Sequence, residues 1–187
     1  MSFIFSDAIS IFILCLPVLT LFWLLMIRRA HRQGKSINFA RSAVISIFIL
    51  YVVDVFWNTV SFNVFPLQLR GNINLVPLIG IVKMAIAILQ SNNPWSLVNL
   101  FGNLALFIPL GFLLPLLYEK MDKIWKIAFF GFCLSVAIEL WQLVLPRASD
   151  VDDVILNTIG ALVGFLIFLA IKKVAPALVG KIRTQID

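Results

Sequence analysis

Five apolar runs, at 9–27, 43–62, 95–118, 124–145 and 154–171, dominate this chain, and each is close to the roughly 20 residues a helix needs to cross about 30 Å of hydrocarbon. No water reaches the bilayer interior, so every backbone N–H and C=O there must be satisfied within the protein. Runs of this length do so as helices, whereas barrel strands would show shorter segments of alternating polarity. The prediction is therefore an all-α polytopic membrane protein: a single transmembrane domain over 1–187 with about five spanning helices. Hydrophobic residues make up 61% of the chain, against about 45–50% in soluble domains. The first run, in "MSFIFSDAISIFILCLPVLTLFWLLMIRRAHR", has no basic residue ahead of it and no A-x-A-like cleavage site, and it reads as an anchor rather than a removable signal.

Basic residues set the expected orientation, because cytoplasmic loops carry an excess of Lys and Arg. One side of the five-span arrangement holds Arg28, Arg29, Arg32, Lys35, Arg41, Lys120, Lys123, Lys126, Lys172, Lys173, Lys181 and Arg183. Only Arg70, Lys83 and Arg147 remain for the other. The N-terminus is thus expected outside and the C-terminus in the cytoplasm. The net charge of +6 then serves the inner leaflet and requires no nucleic-acid partner. Between the second and third runs, the apolar piece 78–89 is too short to cross and predicts an interfacial or re-entrant helix on the outer side.

Polar groups inside spans are costly, so their depth is informative. Asp54 and Asn58, Asn99 and Asn103, Glu139 and Gln142, and Asp153 and Asn157 each fall three or four residues apart, on one helix face, in the outer half of four different spans. Such stripes avoid lipid by facing one another, which predicts an outward-facing polar, wet pocket. Glu139 stands seven residues before Pro146, roughly 10 Å below the expected end of its helix. Gly160 and Gly164 form a small-xxx-small face suited to close helix packing, and Pro109 and Pro115 predict a kink in the third span.

The stretch "RASDVDDVILNTIGALVG" at 147–164 opens with charges at the mouth of the last span. Asp152 and Asp153 suit two roles, first-turn acids favoured by the helix dipole behind a Ser149 cap, or members of a site. Arg147 suits either a clamp on those acids or a ligand contact. Asn99, Asn103 and Gln142 suit either interhelical hydrogen bonds or ligand contact. Capping does not explain Glu139, which leaves a paired structural acid or a site residue.

Several chemistries are disfavoured. The only histidine, His31, lies in a basic inner loop, which removes Ser-His-Asp and Cys-His mechanisms from the pocket. Cys15 and Cys133 lack metal-ligand spacing, and no strand is expected for a nucleotide-binding loop to follow. Carboxylate chemistry survives: Glu139 and Asp153 are catalytic candidates, and Asp150, Asp152 and Asp153 are candidate ligands for a divalent cation, with no other cofactor evident.

The stretches "NLVPL" at 74–78, "NLFGNLALFIPLGFLLP" at 99–115, "SVAIELWQ" at 135–142 and "RASDVDDVILNTIGALVG" resemble the VanZ-like family of bacterial membrane proteins, in that family's order. The resemblance covers about 74–170; the first two spans, within 1–62, carry no matching motif. It implies a bacterial cell-membrane protein with a role in resistance to teicoplanin-type glycopeptides or in cell-envelope maintenance. The matching residues include Asn99, Asn103, Glu139, Gln142, Arg147, Asp150, Asp153 and Asn157, which are also the candidate ligand-binding set chosen by depth.

The expected partners are membrane lipids together with a lipid-linked cell-wall precursor or a lipoglycopeptide, bound through its polar head with apolar walls taking the tail. Two other readings stay open. One is an intramembrane carboxylate- or metal-dependent enzyme acting on a lipid head group, with Glu139 as base; the other is a purely structural polar core.

Overall fold

The computed structural model describes residues 2–34, 36–60, 73–91, 94–143 and 149–184, and within these the side chains of 15–34, 36–57, 74–90, 100–143 and 149–184. The chain is a helical membrane protein. Its helices are α1 (Ser2–Gln33), α2 (Phe39–Val60), α3 (Ile79–Ser91), α4 (Pro94–Leu117), α5 (Ile124–Gln142), α6 (Val151–Val174) and α7 (Pro176–Arg183). Four described segments are long and apolar enough to cross a membrane: Phe39–Trp57, Leu100–Leu117, Ile124–Gln142 and Val151–Val174. α1 carries the expected first span inside one unbroken 32-residue helix. The short apolar piece forms the 13-residue α3.

Packing centres on α4 and α6, which share the most extensive helix–helix contact. Three glycines make this contact one of backbone on backbone. A Cβ on Gly111 would stand 1.8 Å from the Ala161 carbonyl oxygen, one on Gly160 2.1 Å from that of Leu104, and one on Gly164 2.0 Å from that of Ile108. Apolar burial drives little association where lipid is the alternative, so close van der Waals contact of this kind holds the pair. Among the described residues nothing lies within 4 Å of a Cβ placed on Gly102, which takes no part. α4 runs as one helix through Pro109 and Pro115.

The apolar core fills the half of the bundle where α4 and α6 end. Phe107, Leu110, Leu113 and Leu117 of α4 meet Ala161, Phe165 and Phe168 of α6, and Val179 and Ile182 of α7 close the bottom. α4 ends in leucines that cannot cap its last carbonyls, and arginines from elsewhere do so. Arg41 of α2 donates to Leu117 O at 3.1 Å and to Ile182 O at 3.2 Å, while Arg183 donates to Pro115 O at 2.6 Å. Asn38, ahead of α2, donates to Lys181 O and Thr184 O, which fastens α7.

Asp122, between α4 and α5, binds Lys172 and, at 3.2 Å, Arg183. Burial pushes its carboxyl up, but the hydrogen bonds and charges of Lys172 and Arg183 outweigh burial and hold it below the ordinary carboxylate value. Two basic residues counted toward the inner leaflet are therefore paired with a carboxylate of the protein itself. The sequence singled out no partner for them because Asp122 lies 50 and 61 positions away.

Candidate functional site

The opposite end is built around the start of α6, and two expectations change there. The helix cap is Asp150, not Ser149: Asp150 is extended (φ −132°, ψ 123°) and its side chain accepts the N–H of Asp152 at 2.9 Å. Strands were not expected either, yet Ile73–Asn74 (β1) and Ser149–Asp150 (β2) form a two-residue parallel ladder, with Ile73 opposite Ser149 and Asn74 opposite Asp150. Side chains reinforce that pairing. Asn74 donates to Asp150 Oδ1 at 3.0 Å and its own oxygen accepts Val76 N–H at 3.2 Å, turning the chain toward α3.

Asp152 is fully buried and serves a helix other than its own. Its Oδ1 accepts the N–H of Leu78 at 2.5 Å and its Oδ2 that of Ile81 at 3.0 Å, two of the donors left over at the start of α3. Leu78 sits at φ 69°, a left-handed conformation costly for a branched side chain, and the carboxylate holds it there. Gly80 passes so close that an added Cβ would lie 2.7 Å from Asp152 Oδ2 and 2.8 Å from Asp150 Oδ2. Asp150 and Asp152 are thus committed to amide hydrogens, and Asp153 turns to α4. They do not form one ligand set, and among the described residues no group of three or more His, Cys, Asp or Glu is arranged to hold a metal ion.

Asp153 accepts a hydrogen bond from Asn103 of α4. One turn along the same face, Asn157 donates to Ser135 Oγ of α5 at 2.8 Å, with both residues buried. Asn157 Oδ1 is buried with no hydrogen-bond partner among the described residues. Glu139, only 7% exposed, accepts the backbone N–H of Asp150 at 3.0 Å. The helix carrying it ends at Gln142 rather than 145, so Glu139 stands one turn from the end instead of two. Gln142 is buried at that end. α4, α5 and α6 therefore bring Asn103, Glu139, Gln142, Asp153 and Asn157 to one end of the bundle. Arg147 and the side chains of Asn58 and Asn99 lie outside the described residues.

Beside Glu139 is a groove of about 160 Å³ lined by Leu75, Val136, Leu140, Leu143, Ser149, Val151 and Val154. Its walls are mostly apolar, and next to it Asn103 of α4 and Asp153 of α6 bond to each other. Leu75 and Leu140 at its rim are 76% and 61% exposed. Asn74 and Leu75, in the quoted "NLVPL", belong to the site but had no polar stripe to mark them.

Apolar spanning helices, a polar cluster at one bundle end and a short helix moored across it define a multi-pass membrane protein. The chain belongs to the VanZ/LLP1 family, whose profile matches residues 11–172. No curated protein and no solved structure matches it.

Proposed function

We propose that the groove beside Glu139 recognises an amphiphile of the bacterial envelope, a lipid-linked cell-wall component or a lipoglycopeptide of the teicoplanin type, and that the chain thereby contributes to glycopeptide resistance or envelope maintenance. The observation that carries this reading is the pairing of one buried acid with apolar walls. Val136, Leu140, Leu143 and Val154 suit an acyl chain, and Glu139 with Ser149 suits hydrogen-bonding groups where that chain joins its head. The exposed rim at Leu75 and Leu140 suits lateral entry from lipid. Asp150 and Asp152 act as scaffold, holding α3 and the chain at 73–78 against the groove.

The end carrying Asp150 faces outward in this reading, on the asymmetry of Lys and Arg between the two ends. A cysteine placed near Ser149 that labels only from the cytoplasm overturns that sidedness.

The test of the function is the thermal stability of purified wild type and Glu139→Gln against teicoplanin, vancomycin, lipid-linked precursors and divalent cations. A ligand that binds only the folded state raises apparent stability by mass action. Glutamine keeps an acceptor for the Asp150 N–H, so the variant is expected to fold. A shift given by lipid-bearing ligands and lost in the variant supports recognition. A shift given by cations alone moves the reading to carboxylate- or metal-dependent chemistry on a lipid head group, and no shift with intact protein overturns both.

A further inference from the structure

Among the basic residues around Asp122, two populations stand out. Arg41, Lys126, Lys172 and Arg183 are engaged by the protein itself, through backbone carbonyls and Asp122. Lys120, Lys123, Lys173 and Lys181 are exposed, and among the described residues the hydrogen bonds and ion pairs that build this end do not use their side chains. They stand at one end of the bundle: Lys120 and Lys123 lie either side of Asp122 in the chain, Lys173 follows its partner Lys172, and Lys181 is on α7, whose Arg183 also reaches Asp122.

The acids described at this end do not balance them. Glu119 is exposed, and Asp122 is already shared between two cations. Exposed apolar side chains interleave with the lysines: Trp125 is 61%, Val174 83% and Leu178 49% exposed, and Lys126 lies 5.6 Å from the Trp125 ring. Cations beside an aromatic ring and aliphatic groups at one end of a spanning bundle match a boundary between charged head groups and acyl chains.

We propose that this end is a docking surface for the head groups of anionic phospholipid, held through Lys120, Lys123, Lys173 and Lys181, with Trp125, Val174 and Leu178 seated among the first acyl carbons. α7 is the element that makes the surface broad. Its apolar face is closed against the core by Val179 and Ile182, and Asn38 and Arg41 hold its end, so Lys181 and Leu178 stand outward at a fixed height.

The test uses the full chain in neutral detergent micelles doped with brominated phosphatidylglycerol or brominated phosphatidylcholine, reading quenching of Trp125 against a Trp125→Phe control. Phosphatidylglycerol is expected to quench at lower mole fraction than phosphatidylcholine, and each lysine replaced by Gln is expected to weaken its binding about fivefold. Rising ionic strength should erase the preference. Equal quenching by the two lipids, or an unchanged preference in a folded variant lacking all four lysines, overturns the proposal. Should that variant fail to fold, a wild-type preference indifferent to salt overturns it equally. Teicoplanin or precursor binding at the far end is read separately through Glu139→Gln, so each reading can fail alone.

Discussion

The carboxylate of Asp152 holds the backbone of Ile81, which lies in a different helix and 71 positions earlier in the chain. A short apolar helix that cannot span the bilayer is thereby fixed to the first turn of one that does. Asp152→Ala strips two amide hydrogens of their acceptor at once. Loss of a helix cap costs about 1–2 kcal/mol, and a fall of that size is expected in detergent unfolding. Asp152→Asn, which keeps one acceptor oxygen, should fall between the two. A cysteine at Ile81, half-buried in the wild type, should become more reactive in the alanine variant; unchanged labelling would contradict the mooring.

Close packing of α4 on α6 makes three glycines intolerant. Gly160→Ala and Gly164→Ala each drive a methyl group into a backbone carbonyl, and folded yield should drop sharply for both. Gly102→Ala meets nothing within 4 Å among the described residues and should be neutral, or stabilising by up to about 1 kcal/mol through helix propensity. Melting temperatures of the three variants side by side check the contrast.

Asp122 gives a pH signature. Its carboxyl is held below its unfolded value, so the stability it contributes is complete above the unfolded pKa and is lost as pH falls through the lower, folded one. Wild type should therefore melt above Asp122→Asn at neutral pH, and the gap should close in acid. A gap that persists unchanged at pH 2 would contradict this assignment.

Asn103 and Asp153 join α4 to α6 above the glycine contact. Interhelical hydrogen bonds in membranes are worth roughly 0.6 kcal/mol and reach about 1.7. A double-mutant cycle with Asn103→Ala and Asp153→Ala should return a coupling in that range, and a value near zero would mean that the two residues act independently.

The spanning helices were legible because the bilayer imposes a length, and the 78–89 piece because it falls short of that length. Depth and spacing were enough to pick Asn103, Glu139, Asp153 and Asn157, and Gly160 and Gly164 stood out by their small-xxx-small spacing. Where α5 stops was not legible, since residues 143–145 are as apolar as the helix they follow. Nor were the duties of Asp150 and Asp152. A carboxylate that caps a helix 71 residues away leaves no local pattern, and a two-residue ladder is too short to show alternation. Asp122 was missed for the same reason, its partners Lys172 and Arg183 reading as ordinary loop and tail charges.

The touching backbones of α4 and α6 also apportion movement. Two helices that meet carbonyl to Cα have no side-chain layer to shear, so they travel as one body. Any widening of the groove must come from the partners around that spine, α5 on one side and the moored segment 73–91 on the other. Of these, the segment hangs on a two-residue ladder and a few hydrogen bonds, which makes it the hinge with the lower threshold.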